Sequence, residues 1–282
     1  MFGPHRLGPD VGPESLAAMI GLPSFDGVMT GFARIIVDDY RASWLMNRIL
    51  SDRGRMVASY AALDLHFTDP SRRGFTIGQL RHAAASHGFA SPGRMTAWAA
   101  SLRLLGLFAA GAPGRPQRMV PSATFLAMFR ARMAQLYRAI AVIHPPADLR
   151  SAALEGDLFI ADLVAGFTEP YHSGKRMLDA VPELMPLAER EAGVTLLMSV
   201  LLKDAAGEVI AIADLAREFS ISRAHVRSIL QDAEGLGLVA RSPGGGLYRS
   251  LPGLGEILSR FFAALFLAHI FALDRALARV GG

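Results

Sequence analysis

The strongest constraint on the fold is that one stretch of the sequence occurs twice. Residues 91–121 and 222–252 align without a gap at a constant offset of 131. The alignment pairs Ser91 with Ser222, Leu105-Gly106-Leu107 with Leu236-Gly237-Leu238, Arg118 with Arg249, and Pro121 with Pro252. Each copy has the pattern of a capped helix, a glycine stop, a Gly/Pro-rich hairpin with an arginine on its return strand, and a new helix. A repeat of such long period indicates that the chain is built from two related structural units.

Each copy begins with signals for a helix. Ser91 and Ser222 stand where a hydroxyl caps the first turn, and Pro92 fits the first helical position. Apolar residues then recur at three- and four-residue steps, which predicts one buried stripe per helix. The stripes are Met95, Trp98, Leu102 and Leu105 in the first copy, and Val226, Ile229, Ala233 and Leu236 in the second. The polar residues expected to be exposed are Arg94, Thr96 and Ser101 in the first helix, and Arg223, His225, Arg227, Ser228 and Gln231 in the second.

The order of parts in each copy is that of a winged helix-turn-helix, in which a short hairpin, the wing, follows the second helix. No alternating pattern is long enough for a large sheet, so we expect a mostly α fold with small β wings. The predicted architecture is two tandem winged helix-turn-helix units joined by long apolar helices, which makes a pseudo-dimer in one chain. The predicted divisions are a flexible arm over residues 1–24, a first unit over 25–147 and a second over 148–282.

Composition limits the class of protein. Of the 282 residues 51% are hydrophobic, which is enough for a sizeable core, and the absence of cysteine excludes disulfides and thiolate metal sites. The net charge of +4 is compatible with a nucleic-acid partner. The richest apolar run, Phe261–Leu273, is shorter than the roughly 20 residues of a membrane span, so we expect a buried helix and no membrane association. The N-terminus lacks the apolar core of a signal peptide, which predicts a cytoplasmic location.

The exposed polar residues have the chemistry of a DNA reader. Arginine, histidine and glutamine donate hydrogen bonds to base edges in the major groove and to phosphates. The second helix is richer in such groups than the first, where alanines stand among the polar residues. The hairpin arginines are expected to contact the phosphate backbone, and they are Arg115 and Arg118 in the first copy and Arg241 and Arg249 in the second.

The segment IADLAREFSISRAHVRSILQDAEGLGLVARSPGG, which begins at Ile212, resembles the DNA-reading part of bacterial winged helix regulators of the MarR and GntR kinds. The resemblance rests on an Ala-Asp-Leu-Ala helix, a Ser-Arg-X-X-Val helix start and a Gly-Leu-Val stop before the wing. The long helices that flank each copy are similar to the MarR arrangement, in which terminal helices form the dimer interface. This resemblance implies that the helices after Pro121 and Pro252 pack together within one chain.

These observations predict a sequence-specific transcriptional regulator that binds double-stranded DNA at an imperfect palindrome, as a monomer acting as a pseudo-dimer. A small apolar effector is part of the hypothesis, with a pocket placed near Tyr40, Trp44 or Tyr171. Two alternatives remain open. One is a plasmid-type replication initiator, which also carries two winged helices in a chain, and the other is an interaction scaffold that does not bind DNA.

Catalytic chemistry is not expected. The histidines have no paired metal-ligand spacing, and no nucleotide-binding fingerprint occurs. Asp38 and Asp39 are adjacent, so on a helix their carboxylates point in different directions and make a poor acid–base pair. The sequence therefore predicts no catalytic residue, no metal ligand and no cofactor.

Overall fold

Helices dominate the structure, which is 69% helical and contains small antiparallel sheets. The computed structural model describes residues 9–42, 51–149, 151–242 and 246–280. The chain divides into two compact units. Unit 1 comprises the residues up to 11, residues 54–176 and those from 266 onward, whereas unit 2 comprises residues 12–53 and 177–265.

Within the described residues, the first part of the chain contains helices and one small sheet. Its elements are α1 (Pro13–Ile20), α2 (Phe25–Ala42), α3 (Arg53–Phe67), β1 (Phe75–Thr76), α4 (Ile77–His87), α5 (Pro92–Leu104), β2 (Phe108–Ala110), β3 (Arg118–Pro121) and α6 (Ala123–Ile140). The structure differs from the flexible arm predicted for residues 1–24, because Pro13 starts a helix that buries Leu16 and Met19. Residues 1–8 of that arm lie outside the described residues.

The second part of the chain has the same kinds of element. They are α7 (Ser151–Glu155), α8 (Asp157–His172), α9 (Met185–Ala188), α10 (Gly193–Ala205), β4 (Ile210–Ala211), α11 (Ile212–Glu218), α12 (Arg223–Gly235), β5 (Val239–Arg241), β6 (Leu247–Ser250) and α13 (Pro252–Val280). Short 3₁₀ turns over Pro145–Ala147, Met177–Ala180 and Pro182–Leu184 connect some of them.

Two modules share one order of elements, strand–helix–helix–hairpin. We call residues 75–121 the first module and residues 210–250 the second module. Their sheets have equivalent orders, β1-β3-β2 and β4-β6-β5, and all the pairings are antiparallel. The predicted caps are confirmed: Ser91 Oγ accepts from the Arg94 amide at 3.3 Å, and Ser222 Oγ accepts from the His225 amide at 3.1 Å.

A left-handed glycine ends the second helix of each module. Gly106 has a φ of 69° and Gly237 a φ of 70°, a conformation that favours glycine because it has no Cβ. The chain then reverses into the hairpin. Because this capping signal is local, the sequence was sufficient to predict it in both copies.

The return strands do not follow the offset of 131. The Ser122 amide donates to the Leu107 carbonyl at 2.8 Å, and the equivalent bond in the second module joins the Leu251 amide to the Leu238 carbonyl at 2.9 Å. Leu107 and Leu238 are 131 apart (238 − 107), but Ser122 and Leu251 are only 129 apart (251 − 122). The gapless alignment is therefore wrong after the hairpin, because the second hairpin is two residues shorter.

This shift changes which arginines correspond. Arg118 pairs with Thr76 in the first sheet, whereas Leu247 pairs with Ala211 at the same place in the second sheet. Arg249 thus corresponds to Val120 rather than to Arg118. The wing arginines that appeared equivalent in the sequence stand at different positions of the return strand.

Aromatic packing defines the core of unit 1. The Tyr60 ring lies 5.0 Å from that of Phe167, and the Phe167 ring lies 4.4 Å from that of His269. The Tyr137 hydroxyl of α6 donates to the His269 carbonyl of α13 at 3.4 Å, so α6 contacts α13. Helices α8 and α13 approach closely, because a Cβ on Gly166 would lie 2.6 Å from the Ala272 Cα.

Helix α2 packs on α10 in the core of unit 2. The Phe32 ring of α2 meets the Phe262 ring of α13 edge-on at 6.4 Å, and Tyr40 packs on Phe219, the residue that follows α11, at 5.3 Å. Arg41 at the end of α2 donates to Ser199 of α10 at 3.0 Å. The second module therefore shares its core with helix α2, from the start of the chain.

The units differ from the division at residue 147/148 predicted from the sequence. Helix α2 belongs to the unit of the second module, and helix α8 belongs to the unit of the first. Helix α13 contributes residues 252–265 to unit 2 and its remainder to unit 1. The Pro-Pro pair near residue 145 marks a turn in the chain. It does not mark a unit boundary, because residues before and after it belong to the same compact unit.

Helix α13 is longer than its richest apolar run. Within the described residues, Pro252–Arg279 is long and apolar enough to cross a membrane, judged by length and composition alone. The bent pair α1 and α2 passes the same criterion only if the two helices are taken together. Of the most apolar window of α13, 61% is buried within the protein, and Phe262, Phe266 and Leu273 are each at most 1% exposed. The expectation of a buried helix over Phe261–Leu273 is met.

Candidate nucleic-acid interface

Helix α12 of the second module is held by one face. Val226, Ile229, Leu230 and Ala233 are fully buried, so three of the four residues in the predicted stripe are correct. Leu236 is 43% exposed because it caps the helix where the chain turns away, and Leu230 takes its place in the core. The buried face fixes the orientation of the opposite one.

Three exposed polar side chains form a line along the opposite face of α12. Arg223, Arg227 and Gln231 are all exposed and are spaced four residues apart. At about 1.5 Å per residue the line is about 12 Å long and starts at the helix N-terminus. Residues four apart lie on the same face of a helix, so these groups point in similar directions. The structure leaves their donors available at the surface.

His225 and Ser228 are not part of this line. His225 is half-buried and its Nε2 donates to the Glu191 carbonyl at 2.9 Å. Ser228 is also half-buried and accepts a hydrogen bond from Arg190 at 3.0 Å. The prediction that both are exposed is wrong, because the chain before α10 packs against this flank of α12.

The hairpin of the second module presents two arginines of different character. Arg241 lies 3.6 Å from the Glu234 carboxylate and 5.6 Å from the centre of the Tyr248 ring, so part of its charge is compensated. Arg249 is exposed on β6, beside the buried Tyr248. The strand is fixed by Ser250, whose hydroxyl donates to Asp204 at 2.5 Å. Arg249 is therefore the wing arginine best placed to meet a phosphate.

Lys203 does not contribute free positive charge to this surface. Its ammonium is bonded to Glu208 at 3.0 Å and lies 2.9 Å from Glu218. Partial burial opposes the charged form, but the two carboxylates outweigh it and raise the pKa of Lys203. The lysine stays protonated as part of the packing between α10 and α11.

Helix α5 of the first module presents a different surface. At an offset of 131, the positions of Arg223, Arg227 and Gln231 are occupied by Pro92, Thr96 and Ala100. The Thr96 hydroxyl donates to the Pro92 carbonyl at 3.0 Å. In the same way the Ser101 hydroxyl donates to the Ala97 carbonyl at 2.9 Å. The positions that match Arg227 and Gln231 thus lack long side chains. The exposed Arg103, near the C-terminal end of α5, donates to Gln117 at 3.3 Å, and the adjacent Leu104 is 89% exposed.

The buried stripe of α5 resembles that of α12. Met95, Trp98 and Leu102 are buried as predicted, whereas Leu105 is half-exposed at the helix end and Ala99 is buried instead. The inner face of the repeated helix has therefore kept its packing role in both modules. The outer face is where the two modules differ.

The first module also uses its arginines differently. Arg94 is half-buried, and its backbone amide takes the Ser91 cap. Arg118 donates to the Gly74 carbonyl at 2.6 Å, so this predicted phosphate contact ties the return strand to the loop before β1. Arg115, at the hairpin, is exposed. Of the two wing arginines predicted in this module, only Arg115 presents its side chain to solvent.

No protein-family model, no curated protein and no solved structure matches this chain. The case for an interface therefore depends on the geometry of the two modules. Within the described residues, no group of three or more histidine and carboxylate side chains could hold a metal ion.

An effector pocket near Tyr40, Trp44 or Tyr171 stays a prediction. Tyr40 is buried against Phe219 in unit 2. Tyr171 belongs to unit 1, where Arg176 lies over its ring at 4.9 Å. Trp44 lies outside the described residues.

The sequence did not reveal the contacts that hold α12. Arg190 and Glu191 are separated from α12 by more than thirty residues. No local motif marks them, because their role depends on tertiary packing. Only the high polarity of His225, Ser228 and Asp232 on one flank of the helix could have suggested that a partner covers them.

Proposed function

We propose that the chain is a sequence-specific, double-stranded DNA-binding transcriptional regulator whose two modules are winged helix-turn-helix units. The observation that carries the proposal is the line of Arg223, Arg227 and Gln231 on the outer face of α12. A recognition helix must be buried on one side and must present donors along the other, near its N-terminus. Helix α12 satisfies these requirements.

The chemistry of the three side chains fits the major groove. Arginine donates in bidentate fashion to guanine, and glutamine pairs with adenine through one acceptor and one donor. The exposed Arg249 on the neighbouring hairpin adds a contact to phosphate, which strengthens binding to any sequence. The combination supports both affinity and base selection in the second module.

The modules are proposed to have unequal roles. The second module reads bases, and the first contributes backbone contacts through Arg115 and little selection, because Thr96 and Ala100 replace Arg227 and Gln231. The chain then acts as a monomeric pseudo-dimer on an imperfect palindrome in the cytoplasm. A small apolar effector remains a hypothesis to which the contacts of Tyr40 and Tyr171 add no support.

The salt dependence of binding tests the class of protein. Fluorescence anisotropy is measured with a labelled duplex at increasing concentrations of salt. We expect log affinity to fall linearly with log salt, because each phosphate contact releases a counterion. Binding that is absent, or that does not change with salt, would contradict a DNA partner.

Two substitutions test the assigned face. We expect Arg223→Ala and Arg227→Ala each to weaken binding to the duplex preferred by the wild-type protein by about 1–3 kcal/mol, and to relax the choice of base at one position. Arg34→Ala, which removes an equally exposed arginine from α2 of the same unit, is the matched control and should have little effect. If the control and the two variants behave alike, α12 is not the reading helix.

One observation favours a second function for the first module. The exposed face of α5 carries Thr96, Ala100 and the 89% exposed Leu104, and its exposed Arg103 is bonded to Gln117 at 3.3 Å, which suits contact with protein better than with DNA. We therefore keep the interaction-scaffold hypothesis for this module alone. Leu104→Arg, which places a cation on this face, should raise duplex affinity if the face meets DNA. If the face meets protein, the substitution should leave duplex affinity unchanged and disrupt the protein complex.

A further inference from the structure

A five-residue segment, Glu189–Gly193, contacts the flank of α12 in unit 2. Arg190 forms an ion pair with Asp232 and donates to the Ser228 hydroxyl at 3.0 Å. The adjacent Glu191 carbonyl accepts from His225 Nε2 at 2.9 Å. The three contacted residues of α12 are three and four positions apart, so they form one strip along the helix, beside the exposed line of Arg223, Arg227 and Gln231.

The segment is itself held in place by contacts that do not involve α12. The Ala192 amide donates to the Ser51 carbonyl at 2.8 Å. Arg53 lies 2.5 Å from the Glu189 carboxylate. Ala192 has a φ of 61°, in the left-handed region that non-glycine residues rarely adopt. Anchors on both sides of Arg190 therefore fix its backbone independently of the helix that it contacts.

Gly193, the next residue, lies too close to the backbone of Leu187 to carry a side chain. A Cβ on Gly193 would lie 1.9 Å from the Leu187 carbonyl oxygen, so only glycine fits where α10 begins. The segment is thus built as a rigid support from which the Arg190 side chain reaches α12. A guanidinium held in this way restricts rotation of the helix about its own axis, because its two acceptors, Ser228 and Asp232, are one turn apart.

Arg190 also changes the charge at the surface of α12. The Asp232 side chain is 41% exposed and lies one residue after Gln231. An unpaired carboxylate beside the reading line would repel phosphate, and the Arg190 guanidinium offsets that charge. The first module lacks this pair of acceptors, because Ala97 takes the place of Ser228 and the uncharged Ser101, which donates to its own helix, takes the place of Asp232.

We propose that Arg190 is a positioning residue for DNA recognition: anchored by the segment Glu189–Gly193, it sets the rotation of α12 and so the bases that Arg223, Arg227 and Gln231 select. This inference rests on the proposed function of the second module. In this proposal Arg190 acts through α12 and does not itself contact DNA. A phosphate contact by Arg190 is the alternative that the experiment must separate.

The test uses the full chain and a charge-matched pair of variants. Arg190→Ala combined with Asp232→Asn removes the ion pair without changing the net charge. Arg260→Ala combined with Glu183→Gln is the control, since it removes another ion pair of the same unit, at 3.0 Å, away from α12. For each protein, affinity is measured at several salt concentrations for the duplex selected by wild type and for a scrambled duplex. Amide hydrogen exchange of α12 is measured without DNA.

We expect the Arg190/Asp232 double variant to lose about tenfold in the ratio of selected to scrambled affinity, within the roughly 2- to 150-fold coupling seen between residues in contact. Its salt dependence should stay unchanged, and exchange within α12 should increase. The control should match wild type in all three readouts. Arg190→Lys keeps the charge but loses the planar guanidinium. This variant should recover part of the ratio of selected to scrambled affinity, which would show that the loss in the double variant does not come from misfolding.

Other outcomes would overturn the inference. A salt slope that falls by about one with an unchanged affinity ratio means that Arg190 binds phosphate directly. Unchanged hydrogen exchange in α12 means that the contact does not hold the helix, whatever happens to DNA binding. A wild-type protein that selects no duplex rejects the proposed function and the reading role of Arg190 with it, and this failure is visible before any variant is made.

Discussion

His269 is buried among aromatic rings in the core of unit 1. The Phe167 and Tyr137 rings lie 4.4 and 6.0 Å from it, and its Nδ1 has no hydrogen-bond partner among the residues that the structure describes. Burial, helped by the charge of Arg132, lowers the pKa of His269 from 6.5 to about 3. The imidazole is therefore neutral in the folded protein at neutral pH, and protonation favours the unfolded chain.

The sign of the pH effect follows from this shift. Below pH 6.5 the unfolded chain binds a proton at residue 269 that the folded protein does not bind, so the free energy of unfolding falls as the pH decreases toward about 3. The contribution of this one residue is about 1.4 kcal/mol per pH unit, or about 2 kcal/mol by a pH of about 5. His269→Phe, which keeps a ring of similar size, should remove this part of the dependence.

Urea midpoints at about pH 7 and about pH 5, for wild type and His269→Phe, check the prediction. Burial also lowers the pKa values of His66 and His87, so these residues change the stability with pH in the same direction, and only the difference between the two proteins is informative. Equal loss of stability in both proteins would show that His269 is not buried in a neutral form.

The wing arginines provide a second test at the scale of residues. Arg249→Ala should weaken binding to all duplexes alike and reduce the salt slope by about one, because Arg249 is exposed and placed to meet phosphate. Arg118→Ala should instead lower the thermal stability of the protein, since Arg118 donates to the Gly74 carbonyl at 2.6 Å. Salt titrations and melting curves of both variants distinguish the roles, and a selective loss on one sequence with Arg249→Ala would contradict a backbone contact.

At the scale of elements, the repeated helices show which properties a sequence can predict. The caps at Ser91 and Ser222, and the stop at Gly106 and Gly237, were predicted because each depends on a few neighbouring residues. The buried stripes were mostly correct for the same reason. Both errors in them, at Leu105 and Leu236, fall where the helix has ended and its periodicity no longer applies.

What the sequence could not predict depends on partners distant in the chain. The register of the return strand depends on hairpin length, so a repeated arginine and a repeated proline suggested an alignment that the sheet pairing corrects. His225 and Ser228 appeared exposed because nothing near them indicates that Arg190 and Glu191 cover that flank. The candidate site was therefore predictable at Arg223, Arg227 and Gln231, because their exposure follows from the helical period and needs no distant partner.

Two glycines within helices, Gly31 of α2 and Gly166 of α8, make a direct test of helix packing. A Cβ on Gly166 would lie 2.6 Å from the Ala272 Cα, whereas a Cβ on Gly31 would have nothing within 4 Å. Gly166→Ala should destabilise the protein by about 1–3 kcal/mol through overpacking between α8 and α13. Gly31→Ala should stabilise it by about 0.5–1 kcal/mol, because alanine favours a helix. Melting temperatures of the two variants check both signs, and a stable Gly166→Ala protein would mean that the helices are farther apart.

At the scale of the whole molecule, each compact unit draws on both halves of the chain. Helix α2 joins the unit of the second module, and α8 joins that of the first. Neither half of the sequence contains a complete unit, so cutting the chain between them would remove helices from both cores. In the proposed regulator this organisation joins two unequal modules covalently, and engagement of a second half-site becomes intramolecular.

The most direct test of two unequal DNA-reading modules is selection from a random duplex library with the full chain, at physiological salt, followed by sequencing. We predict a motif with two related halves about 10 base pairs apart, centre to centre, in which one half is clearly more constrained than the other. Arg227→Ala should reduce the information in the stronger half. Two equally constrained halves would contradict the unequal roles assigned to α12 and α5. Directly repeated sites would favour a replication initiator. The absence of any enriched sequence would contradict sequence-specific DNA binding itself.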